Sequence, residues 1–91
     1  MKTIYKYPIK PHTRQLLELP KGTRILSVQE QRGAINIYAM VDNEVEAVEL
    51  IPVLLYGTGH CVHEEIEEVR FLGTVSMYNG DLVLHAFTEQ L

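Results

Sequence analysis

Gly73-Thr74-Val75-Ser76-Met77-Tyr78-Asn79-Gly80-Asp81-Leu82-Val83-Leu84-His85-Ala86-Phe87 carries the strongest conformational signal in the chain. Apolar and polar residues alternate on both sides of Asn79-Gly80, a pair that readily adopts the left-handed backbone of a tight hairpin turn. Folding about that turn pairs Met77 with Leu82, Val75 with Leu84 and Gly73 with Ala86 on a core face. The other face sets Thr74 across from His85, Ser76 from Val83 and Leu72 from Phe87, which gives His85 a hydroxyl partner.

A second hairpin follows from Arg32-Gly33 as a two-residue loop, with Val28 opposite Ile37 and Leu26 opposite Ala39. Its other face carries Ile25, Ser27 and Gln29 against Asn36, Tyr38 and Met40, and Asp42-Asn43-Glu44 closes its far end. Lys2 to Pro11 alternates as well, and its lysines and internal Pro8 suit the edge of a sheet. Arg14 to Leu19 reads as a further strand with Leu17 and Leu19 inward, followed by a Pro20-Lys21-Gly22 turn with proline at the second turn position. A strand beginning near Val45 is apolar on both faces from Leu50 to Tyr56, as a central strand or one at a subunit contact would be. Pro52 opposes regular pairing on both its sides, so a bulge or local edge is expected there.

These segments predict an all-β protein: a small antiparallel β-sandwich or barrel of six to seven strands, with at most a short helical turn near residues 61–68. A chain of 91 residues holds one core, so residues 1–91 form a single domain. A core this small, together with the all-apolar Leu50–Tyr56 strand, points to a homodimer or a higher closed homo-oligomer. Cys61 is the single cysteine, which excludes an intrachain disulfide and suits a reducing compartment. No apolar run reaches the ~18 residues needed to span a bilayer, and no signal-peptide core follows Met1, so the expected setting is the cytoplasm with no membrane partner.

Charge is unevenly spread. Seven of the eight basic residues lie within the first 33 positions beside two acids, whereas Arg70 stands alone against ten acids in the remainder. The two segments are expected to meet within the fold or across a subunit contact. With a net charge of −4 and no basic helix or aromatic-basic stripe, nucleic-acid binding is disfavoured.

Tyr56-Gly57-Thr58-Gly59-His60 is where chemistry gathers, because the long apolar run stops there at two glycines and a histidine. Glycines on both sides of Thr58 leave backbone amides uncovered, the condition for a concave anion nest; the plainer alternative is a strand-ending turn without ligand. Lys21, Arg24 or Arg32 would supply countercharge, Tyr56 or Tyr38 a stacking plane, and His60 and His85 hydrogen bonds. His60, Cys61, His63 and His85 are the candidate metal ligands, but His-Cys-x-His is not a zinc-site spacing, so no metal and no cofactor is expected. Adjacent residues on an extended segment point to opposite sides, so Cys61 and its neighbouring histidines do not assemble a nucleophile with its base; no catalytic residue is assigned.

Met1-Lys2-Thr3-Ile4-Tyr5-Lys6-Tyr7, Glu18-Leu19-Pro20-Lys21-Gly22 with Ile25-Leu26-Ser27-Val28-Gln29, Tyr56-Gly57-Thr58-Gly59-His60 and Leu82-Val83-Leu84-His85-Ala86-Phe87 together resemble a family of short, functionally uncharacterised proteins found mainly in phages and prophages. The resemblance implies a viral origin and a soluble accessory role in an infected host cell. The matching positions are the Leu-Pro-Lys-Gly turn, Tyr56 to His60, and His85; after His60 the chain departs from the family pattern, and no role is carried over to Cys61 or His63. The functional expectation is a non-catalytic binding module that inhibits a host process by sequestering a small anionic, nucleotide-like ligand or by binding a host protein. The alternative is a structural or interaction protein of phage assembly.

Overall fold

Seven strands build two antiparallel sheets in a computed structural model that describes residues 1–62 and 68–91. The strands are β1 (Lys2–Ile9), β2 (Arg14–Pro20), β3 (Arg24–Gln31), β4 (Ala34–Asp42), β5 (Val48–Gly57), β6 (Arg70–Met77) and β7 (Leu82–Thr88). One sheet has the order β1-β4-β3 and the other β2-β5-β7-β6. The expected short helical turn near residues 61–68 falls largely on residues 63–67, which lie outside the described residues.

Alternation sets what each strand buries. Ile35 and Ile37 from β4, Ile51, Val53 and Leu55 from β5, Val75 from β6 and Leu84 and Ala86 from β7 meet in one core cluster, with Leu19 from β2 and Ile25 and Val28 from β3. β1 is an edge strand, as its lysines and proline indicate, and Tyr7 and Ile9 are its half-buried contacts with that cluster.

The hairpins follow their turn chemistry, with two corrections of register. Arg32 and Gly33 take φ of 54° and 81°, and Val28 faces Ile37. Leu26 does not face Ala39, however, because a bulge lies between Ile25 and Ser27. The bulge turns Ile25 inward to full burial and leaves Leu26 at the surface. In the last hairpin Met77–Leu82, Val75–Leu84 and Thr74–His85 pair as read from the sequence. A second bulge between Phe71 and Gly73 then puts Phe71, not Leu72, opposite Phe87, and Leu72 joins the core. Asn79 and Gly80 form the left-handed turn with φ of 56° and 92°, and Tyr78 is also left-handed at 51°, so strand pairing ends at Met77.

The prolines sit where their missing N–H costs nothing. Leu55 N donates to Thr13 O and Lys21 N to Ala47 O, so the odd-numbered residues of β2 carry its hydrogen bonds to β5. Pro52 faces Leu16, an even position, so it interrupts no β2–β5 bond; β7 begins pairing only at Val53, and the Thr88 hydroxyl donates to Pro52 O at 2.8 Å. That is the local edge anticipated for Pro52. Pro20 occupies the first, not the second, position of its turn, since Thr23 N donates back to Pro20 O.

β3 and β6, edges of opposite sheets, close one side of the sandwich. Arg70 Nη2 donates to Ile25 O at 2.5 Å, Arg70 Nε donates to Gln90 O at 3.1 Å, and Gln90 Nε2 donates to Thr23 O at 2.6 Å. Among the described residues Arg70, the lone Lys or Arg of the acidic segment, thus binds carbonyls rather than a carboxylate. Burial, and secondarily the charge of Arg24, lower its pKa.

Candidate functional site

Gly57 ends β5 beside Leu84 of β7, and the chain turns there through Thr58 and Gly59, with Gly59 at φ 85°. His60 N donates to Gly57 O, closing the turn, and Thr58 N donates to Val83 O. Both bonds consume amides that an anion nest would need, so the glycines serve the turn itself. The His60 ring folds back over Gly57: a Cβ placed at residue 57 would stand 2.6 Å from ring Cε1.

His85 projects beside this turn from β7, opposite Tyr56 on one side and Thr74 on the other. Thr58 Oγ1 lies 2.8 Å from His85 Nε2, and Thr74 Oγ1 lies 3.0 Å from Nδ1. The Thr74 partner was legible from the hairpin register; the Thr58 partner, 27 residues away in sequence, was not. In the neutral ring one nitrogen donates to a threonine oxygen while the other accepts from a threonine hydroxyl, and in the imidazolium both donate. Either way the ring keeps its orientation.

Gly57, Thr58, His60, Gly80, Asp81, Leu82 and Val83 line an open recess of about 350 Å³. Asp81 is a member that sequence reading missed, because only the folded hairpin brings the residue after Asn79-Gly80 next to the end of β5. No lysine or arginine lines the recess among the described residues.

The other candidates lie elsewhere. Lys21 pairs with Ala47 just before β5, whereas Gly57 ends that ten-residue strand. At ~3.3 Å per residue the two ends are about 30 Å apart. Arg24 Nη1 donates to Leu91 O, beyond the far end of β7. Tyr56 faces away from the core yet is only 6% exposed, packed edge-on to Phe87 at 6.3 Å between ring centroids, so it offers no free stacking plane. Tyr38 sits in the other sheet, opposite Lys6 and Ser27. Arg32 alone of the proposed cations stands at the recess end: its neighbour Gly33 lines a second, more apolar cleft of about 140 Å³, and Leu82 lines both. No local pattern marks that cleft, since its walls come from β1, the β3–β4 loop and the β6–β7 hairpin.

Cys61 is an exposed free thiol, and His63 lies outside the described residues. Among the described residues no group of three or more His, Cys, Asp or Glu side chains is arranged to hold a metal ion, and no helix is long and apolar enough to cross a membrane.

No curated protein and no solved structure matches the chain. A family model described as "Domain of unknown function (DUF7352)" matches residues 1–91, and the chain belongs to that family.

Proposed function

We propose that the protein is a non-catalytic, phage-encoded binding module that works in the cytoplasm of an infected cell and inhibits a host process through the recess at the end of β5. The observation that carries this reading is a set of polar groups held ready at an open surface. The His60 ring is seated on Gly57, Thr58 and Asp81 share the same hollow, and the His85 ring, engaged through both nitrogens, holds the Thr58 side chain in place beside it. The phage origin rests on the sequence resemblance across Met1–Tyr7, Tyr56–His60 and Leu82–Phe87.

The lining favours one kind of occupant. Asp81 accepts hydrogen bonds and repels anions, and the Thr58 and His60 amides are engaged. A ligand with amino or imino donors suits it, whether the edge of a nucleobase or a basic side chain of a host protein. A nucleotide would be held by its base, with its phosphate directed to Arg32 or to solvent. Thermal-shift titration with nucleosides and nucleotides, read together with the imidazole NMR signals of His60 and His85, tests this. Matched shifts for a nucleoside and its nucleotide are expected. If no compound at millimolar concentration moves either ring, and His60→Ala still inhibits in infected cells, the recess reading fails.

The alternative, a structural or interaction protein of phage assembly, draws on Leu16, Val48, Leu50 and Phe71, which are 49–59% exposed. Open-ended assemblies in light scattering would favour it over a closed small oligomer.

A further inference from the structure

Four strands form the edges of the two sheets, and three of them are protected. β1 carries Lys2 and Lys6, with Lys10 just beyond its end, and it is interrupted by Pro8. β3 and β6 lie against each other, with Gly73 beneath Val28 and Arg70 bonded to Ile25 O. Among the described residues β2 has no such protection between Arg14 and Glu18. Because its odd-numbered residues bond to β5, the N–H and C=O groups of Arg14, Leu16 and Glu18 point out from the sheet, and none has a hydrogen-bond partner among the described residues. An open ladder of this kind is a template for another strand.

We propose that β2 pairs antiparallel with β2 of a second copy of this chain about a twofold axis at Leu16, joining two four-stranded sheets into one of eight. The sequence of β2 is self-complementary in that register. Leu16 faces Leu16 of the second copy as a hydrogen-bonded pair, and Arg14 faces Glu18 twice, once on each side of the axis. All six outward-facing residues of the two copies then exchange their backbone bonds. A shift by two residues in the partner would set Arg14 against Pro20, which has no N–H, and Glu18 against Leu16. The ladder also stops cleanly, because His12 N is already bonded to Lys10 O and Pro20 O accepts from Thr23. On the outer face the pairing brings together two copies of Leu16, 49% exposed, flanked by Pro52 and Leu50. The pairing is separate from the recess and holds whatever the recess binds.

Sedimentation or light scattering of the full chain should give twice 10.4 kDa. Arg14→Glu or Glu18→Arg alone should raise the dimer dissociation constant about tenfold by setting like charges face to face, and the double exchange should restore most of it, the remainder being the Arg14–Glu89 pair lost within each protomer. In a Cys61→Ser background, Leu16→Cys should form an interchain disulfide on oxidation, since a hydrogen-bonded pair holds its Cα atoms ~5.5 Å apart. Glu18→Cys should not, its two copies being about 13 Å apart along the strands. Leu16→Pro removes an N–H that bonds nothing within the protomer, so it should preserve thermal unfolding of the monomer and abolish the dimer. A monomer at every concentration up to millimolar overturns the proposal. So does a dimer that Leu16→Pro leaves intact or that Leu16→Cys fails to cross-link.

Discussion

The His60 imidazole rests on the Cα of Gly57, so near that a methyl group at residue 57 would stand 2.7 Å from ring Nδ1. The close approach involves the mobile end of an exposed side chain, and Gly57 does not have the positive φ that would strain another residue. Gly57→Ala should therefore swing His60 out at a stability cost of about 0.5–1 kcal/mol. The His60 NMR signals should shift while those of His85 hold, and ligand response should fall without a matching drop in melting temperature. A loss of fold equal to the loss of response would show that Gly57 serves packing alone.

Gly73 presents the opposite case. Its φ is 148°, and a Cβ there would meet Val28 Cγ1 at 3.1 Å where β6 crosses β3. Gly73→Ala should cost about 1–3 kcal/mol, read as a lower urea midpoint at unchanged slope.

Arg70 holds the same corner through carbonyls of Ile25 and Gln90. Arg70→Met keeps an unbranched apolar stem and strips those acceptors of their donor, so a loss of about 2 kcal/mol is expected from chemical denaturation. Arg24→Met, which removes a single exposed bond to Leu91 O, should stay within about 0.5 kcal/mol of the parent.

Tyr7 gives the stability an alkaline limb. Burial, and secondarily the neighbouring Tyr5 phenol, raise its pKa above the usual 10.0. The folded state therefore favours the neutral phenol. That contribution is complete below pH 10.0 and fades as pH rises through the higher folded value. Tyr7→Phe should flatten stability against pH on that limb and leave the profile at neutral pH unchanged; an unaltered alkaline slope would assign it to other groups.

Local chemistry carried the sequence reading as far as the strands and turns. Arg32-Gly33 and Asn79-Gly80 each mark a left-handed turn in their own side chains, and those turns determined the adjacent pairs correctly. The bulges at Leu26 and Leu72 escaped because nothing in the local alternation marks them; Ile25 and Leu72 turn inward to fill space shaped by the facing sheet. The site followed the same division. Gly57, Thr58, His60 and His85 do gather, being set by one strand end and its neighbour, whereas Lys21 and Arg24 were assigned by charge alone and lie toward the opposite end of the sandwich. Asp81 enters the recess only through β5–β7 pairing, which no short stretch of sequence reveals.

The sheet order β2-β5-β7-β6 has a further consequence for biosynthesis. β7 lies between β5 and β6 but leaves the ribosome after both, so the four-stranded sheet stays split while the chain is emerging. The apolar edge of β5 from Val53 to Gly57 then waits for the strand that will cover it. Co-translational folding can complete the β3–β4 hairpin and its pairing with β1 early, but the second layer is completed only once β7 has emerged, by inserting this later strand between two earlier ones. A chain of this order is most exposed to chaperones and to aggregation in that interval.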